Sequence, residues 1–118
     1  MIIYHITTCV AWEEAKTAGQ YTAPSLAGEG FIHASTREQV MGTANLLFHG
    51  QVGLVLLVID SENISSMVRF DPVTAHGGVK EFPHIYGPLN LSAVIDIVEF
   101  PPGQDGYFSF PPQLFKPV

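Results

Sequence analysis

Three histidines stand where the surrounding chain is oily: His5 in "IIYHITT", His33 in "EGFIHASTREQ" (29–39) and His84 in "EFPHIYGPLN" (81–90). An imidazole taken out of water needs a hydrogen-bond partner to offset its desolvation. A backbone carbonyl would account for any one of them. Three in such contexts within one short chain point to a shared polar site, where imidazoles can pass protons or hold a ligand. His5, His33 and His84 are the candidate catalytic residues on that reading. Three neutral imidazoles plus water also suit zinc, but the chain shows no short ligand spacing such as His-x-His, so no metal ligand is assigned.

Other side chains fall near these positions. Ser35 is two residues after His33, hence on the same face of a strand, and it opens "STRE", a helix start with unpaired N–H groups where a phosphate or carboxylate can dock. Ser35 serves equally well as the cap of that helix, with Glu38 reaching back. Arg37 either adds a charge-assisted contact or is a solvated surface residue. Thr7 shares a strand face with His5. Pro83, Gly87 and Pro88 stiffen the chain around His84 and Tyr86, as expected of a rigid recognition loop or of a tight structural turn. Arg69, Glu81 and Tyr86 complete the candidate ligand contacts with Thr7 and Ser35; Asp71 and Glu81 are carboxylates that could also be plain surface charges. His49, at a helix end, and His76, beside two glycines, are assigned no role.

The elements that must position these residues follow from pattern. Residues 2–7 read as a first strand, and Thr8 caps a helix over "CVAWEEAKTA" that Gly19 stops, with Trp12 and Ala15 on its inner face. "YTAPSLAGEG" (21–30) reads as a loop and "FIHAS" (31–35) as a strand. Val40, Ala44, Leu47 and Phe48 recur at helical spacing up to Gly50. "VGLVLLVID" (52–60) is apolar almost throughout, the mark of a central strand covered on both faces. "MVRFD" (67–71) is another strand, "PVTAHGGVK" a flexible stretch, and "AVIDIVEF" (93–100) a final strand closed by Pro101 and Pro102. The class expected is α+β, two N-terminal helices packed on a curved, mainly antiparallel sheet.

With 118 residues and 47% hydrophobic content the chain is expected to form one domain, its core about 2–100. Residues 101–118 form a tail rich in proline and aromatics, which packs across the domain or against a second subunit. The formal net charge is −6 and the five Lys and Arg are scattered, so neither a nucleic acid nor an anionic membrane surface is an expected partner. A single cysteine, Cys9, excludes an internal disulfide, and the longest aliphatic run (54–59) is too short to span a bilayer, so a cytoplasmic setting is expected.

"YHIT" with Trp12, "EGFIHAST" with Gln39, "LLVID" and "FPHIYGPLN" occur in an order that resembles the domain of unknown function 952 family, from Ile3 to Phe100. That resemblance implies an ADP-ribosyltransferase-like fold, whose split curved sheet binds NAD in a central cleft. His5 matches the first-strand histidine that contacts the nicotinamide ribose in such domains, and "FIHAS" resembles a histidine and serine strand motif of the RNA 2'-phosphotransferase branch. Carried over, His5 would orient a ribose, His33 would act as hydrogen-bond donor or acid/base, His84 and Tyr86 would line a histidine-lined cleft, and Arg69 would meet a phosphate. The late-strand catalytic glutamate of that superfamily has no clear counterpart, since Glu81 precedes "FPHIYG" and Glu99 ends a strand. An ADP-ribosyl-handling enzyme using NAD therefore stands beside a non-catalytic small-ligand or protein interaction domain, with a metal-dependent hydrolase behind both.

Overall fold

A computed structural model describes residues 1–75 and 78–114. The first strand, β1 (Ile2–Thr8), runs straight into α1 (Cys9–Ala18). The Thr8 hydroxyl accepts the Ala11 N–H at 3.0 Å, and Gly19, at φ 88°, ends the helix in a left-handed turn that returns its N–H to the Ala15 carbonyl. Trp12 and Ala15 are buried as their spacing predicts, and Cys9 lies exposed at the first helical position.

The stretch expected to be a loop instead holds β2 (Gln20–Tyr21) and a short helix, α2 (Pro24–Glu29). Pro24 at the first turn and Gly30 in the left-handed region (φ 93°) are the start and stop of that helix; the same two residues read as loop punctuation in the sequence. The described residues thus contain three α-helices, not two.

After β3 (Ile32–His33) comes α3 (Arg37–Leu47), capped one residue later than expected. Ser35 exchanges both backbone hydrogen bonds with Tyr4 (2.8 Å each), which commits it to the edge of β1. Thr36 is the cap, and the Gln39 side chain accepts its N–H at 3.0 Å.

From Leu54 to Ile59, β4 (Leu54–Asp60) is buried because it lies between β1 and β8 (Val94–Glu99) in an antiparallel sheet of order β1-β4-β8. Alternation along these strands feeds two cores. Ile3, Val55, Leu57 and Ile59 pack with Trp12, Tyr21, Ile32 and Ile85, while Tyr4, Ile6, Leu56 and Val58 pack with Val40, Ala44, Phe100 and Phe108.

A second antiparallel sheet has the order β3-β6-β5, with β5 (Met67–Ala75) and β6 (Gly78–Tyr86), and β2 pairs separately with β7 (Leu89–Asn90). The supposedly rigid loop around His84 is therefore mostly strand, and so are the described residues of "PVTAHGGVK"; His76 and Gly77 lie outside the described residues. The architecture is α+β with several antiparallel sheets. No helix among the described residues is long and apolar enough to cross a membrane.

The described part of the tail, residues 101–114, folds back on its own domain. Phe108 stacks on Phe100 with ring centroids 4.7 Å apart, and the Asn45 side chain on α3 accepts the Phe108 N–H (2.7 Å) while donating to its carbonyl (3.4 Å). Phe110 meets Tyr4 edge to face, leaving Tyr107 as the exposed aromatic among the described residues of this segment. Gly106, at φ 87°, lets His49 approach so closely that a Cβ there would come within 2.7 Å of the His49 ring.

Leu57 is fully buried in the first core whereas Ile97, its cross-strand partner, is 42% exposed. Leu57→Ala should cost about 2–5 kcal/mol in denaturant unfolding, the range for a truncated core leucine. Ile97→Ala should cost about 0.5 kcal/mol or less.

Candidate functional site

Register decides where the histidines go. Ile32 pairs with Ile85 across β3 and β6, and both enter the first core. The next pair in register is His33 with His84, so both imidazoles project from the opposite face, with ring centroids 5.4 Å apart and nearly perpendicular planes. Phe31 stacks on the His84 ring at 3.9 Å.

His84 is 3% exposed. Its Nδ1 lies 2.9 Å from Asp71 Oδ2, and the Tyr86 hydroxyl donates to the same carboxylate oxygen. Those two hydrogen bonds, Tyr86 first and His84 second, hold the Asp71 carboxyl below its ordinary pKa, and the carboxylate in turn pushes the Tyr86 hydroxyl up. An ionised Asp71 can only accept, so Nδ1 of His84 carries a proton. In the neutral ring Nε2 is then a bare lone pair, and it is buried without a hydrogen-bond partner. Arg69 lies directly opposite His84 on β5, largely exposed, with Nε 4.0 Å from Asp71 Oδ1 and its guanidinium 5.8 Å from the Tyr86 ring. His33 is half exposed, and its Nε2 meets Glu29 at the end of α2 at 2.5 Å. Two imidazoles, each oriented by its own carboxylate, thus share one strand pair.

His5 lies elsewhere. Its Nδ1 donates to the main-chain carbonyl of His33 (2.5 Å), its Nε2 lies 2.7 Å from the Tyr21 hydroxyl, and that hydroxyl is 2.9 Å from the hydroxyl of Thr7. Burial lowers the His5 pKa to about 4, against a smaller upward pull from the His33 carbonyl, so the ring is neutral at pH 7. With Nδ1 protonated, Nε2 takes the Tyr21 proton and Thr7 supplies the proton between the two hydroxyls. Burial also raises the Tyr21 pKa, which keeps that proton in place. A hollow of about 310 Å³ opens beside this chain, bordered by His5, Thr7, Tyr21, Ala23, Phe48 and Leu54.

The structure brings His33, His84, Arg69 and Tyr86 together, and joins His5 to Thr7. His5 meets the pair at the His33 carbonyl, and the charge of His33 also bears on its ring. The contact between the two groups runs through the His33 main chain, because β3 carries the His33 side chain to one side and its carbonyl toward β1. Ser35 is buried against Tyr4 and Thr43, and the exposed Glu81 is engaged through its main-chain carbonyl, which accepts from Gln39. Neither joins the histidines. His49 is exposed and donates to the Asp105 carbonyl. No group of three metal-ligating residues occurs among the described residues. Glu29 and Tyr21 had no signal in spacing; Phe31 had one, lying two residues before His33 in the expected strand and so on its face. Asp71 had one: it is two residues from Arg69, so in a strand the two share a face.

His5 gives stability a pH dependence. Its folded-state pKa is depressed from 6.5 to about 4, so the unfolded chain binds the proton more readily. The stabilisation is whole above pH 6.5 and is lost as pH falls toward about 4, a change of about 3 kcal/mol. Denaturant midpoints between pH 7.5 and 4.5 should fall accordingly, and His5→Gln should flatten that fall while lowering the plateau.

Among solved structures, the crystal structure of protein CC0527 from Caulobacter crescentus is similar over 92% of this chain and 94% of that chain, at 33% identity and a TM-score of 0.82. The solution NMR structure of CC0527 is similar over 90% of each chain, at 34% identity and a TM-score of 0.75. No curated protein matches. The family model described as protein of unknown function (DUF952) matches residues 6–97, a span that takes in His33, Asp71, His84 and Tyr86, and the chain belongs to that family.

Proposed function

We propose that this chain binds a small nucleotide of the NAD or ADP-ribose kind on the face formed by β3, β6 and β5. The observation that carries the reading is the buried, unpartnered Nε2 of His84, whose ring is otherwise fixed by Asp71 and stacked on Phe31. A buried acceptor left unmade costs about 1–3 kcal/mol, and functional sites are where such a cost is retained. Arg69, opposite His84 and largely exposed, supplies a cation for a phosphate. Phe31 and Tyr86, packed against each other with ring centroids 5.4 Å apart, offer one aromatic surface for a planar group. The resemblance to ADP-ribosyltransferase-like domains directs the choice of ligand to a pyridine or ADP-ribose nucleotide.

Binding without turnover fits the charges better than transfer. Both carboxylates beside the imidazoles are committed, Asp71 to His84 and Tyr86, and Glu29 to His33. Glu81 and Glu99 lie exposed outside this group.

Calorimetric titration with NAD and with ADP-ribose should give saturable heat. His84→Ala should weaken binding at least tenfold, about 1.4 kcal/mol, with His49→Ala unchanged. Absence of heat from both nucleotides at millimolar concentration would overturn the reading, and nicotinamide released on prolonged incubation with NAD would overturn its non-catalytic half.

A further inference from the structure

The polarity of the orphaned nitrogen says what the ligand must bring. Asp71 receives two hydrogen bonds on one oxygen, from His84 Nδ1 and from the Tyr86 hydroxyl, and its depressed pKa agrees with a carboxylate that only accepts. In its neutral form the His84 ring is therefore held in the tautomer with the proton on Nδ1, and Nε2 is an acceptor. A carbonyl, phosphoryl or carboxylate oxygen cannot satisfy that nitrogen; an O–H or N–H can. The cation of Arg69 lies across the strand pair at the same register position, so an anion belongs one strand spacing away. We infer that the site takes a hydroxylated phosphate ester, with one ligand hydroxyl donating to His84 Nε2 and the phosphate on Arg69, and that Asp71 with Tyr86 are the positioning residues that set this preference.

This deepens the proposed nucleotide binding and rests on it. The selection is by hydrogen-bond polarity. A site built around a buried acceptor penalises a ligand that lacks the matching donor far more than an apolar pocket penalises a missing methylene. Tyr86 contributes by occupying Asp71 Oδ2 together with His84, which keeps the carboxylate from rotating away from the ring. Phe31, stacked on one face of His84, restricts the approach of a donor to the ring edge.

The test is long-range proton–nitrogen NMR of the histidine side chains in the whole chain, free and titrated with ADP-ribose, with inorganic phosphate as the anion control. Free His84 should show a protonated Nδ1 and an unprotonated Nε2. ADP-ribose at saturation should move the Nε2 resonance upfield, as acceptance of a hydrogen bond does, while inorganic phosphate should leave it in place. Asp71→Asn, which keeps the size but not the charge, should give mixed tautomers at His84 and bind ADP-ribose at least fivefold more weakly. Saturation by ADP-ribose with an unmoved Nε2, or an equal shift from phosphate alone, overturns the inference and leaves nucleotide binding standing. Failure of ADP-ribose to saturate the protein overturns both. The wild-type spectra decide the matter even where Asp71→Asn does not fold.

Discussion

The site depends on one pairing, two residues long. Ile32 lies opposite Ile85, and that apolar pair is buried completely in the first core. Because side chains alternate along a strand, burying this pair compels the next one, His33 and His84, to the other face. A slip of one residue would put two imidazoles into the first core and move two isoleucines out of it to the opposite face, so hydrophobic burial favours this register. The imidazole pair is thus placed by a force that has no stake in its chemistry.

His33 links what would otherwise be separate regions. Its side chain meets Glu29 and the His84 ring, while its carbonyl takes the proton of His5. Its next neighbours, Ala34 and Ser35, carry the chain from the second sheet to the edge of β1. Displacing the β3 backbone would therefore disturb the buried chain of His5, Tyr21 and Thr7 as well. Polar networks of that kind are costly when half satisfied, and here each ring nitrogen of His5 has a partner.

Much of this was legible before any coordinates. Thr8, Gly19 and the spacing of Trp12 and Ala15 specify α1 locally, and the aliphatic run of β4 marks a strand with two covered faces. The β5–β6 hairpin was legible only in its first stretch, Met67–Asp71, because Pro72, Pro83, Gly87 and Pro88 speak for loops whereas tertiary pairing holds Pro72 and Pro83 within strands. Pro72 lies on the edge strand of its sheet, where a missing N–H costs little. The candidate site was half visible for the same reason. Three histidines in apolar settings stand out in the sequence, but which of them face each other depends on pairings between segments about fifty residues apart in the chain, and no local pattern encodes that. Asp71 was visible only as a charge near Arg69; its role appears once β5 lies beside β6.

The clamp of Asn45 on the Phe108 backbone has a bearing on where the folding unit ends. The family model stops at residue 97, yet Phe100 and Phe108 fill the second core against Tyr4, Leu56 and Val58. A fragment excised at the model's limits would lose both phenylalanines and the first five residues, including His5. The autonomous unit is therefore larger than the span by which the family is recognised, and any dissection of this protein has to keep the segment that Asn45 holds.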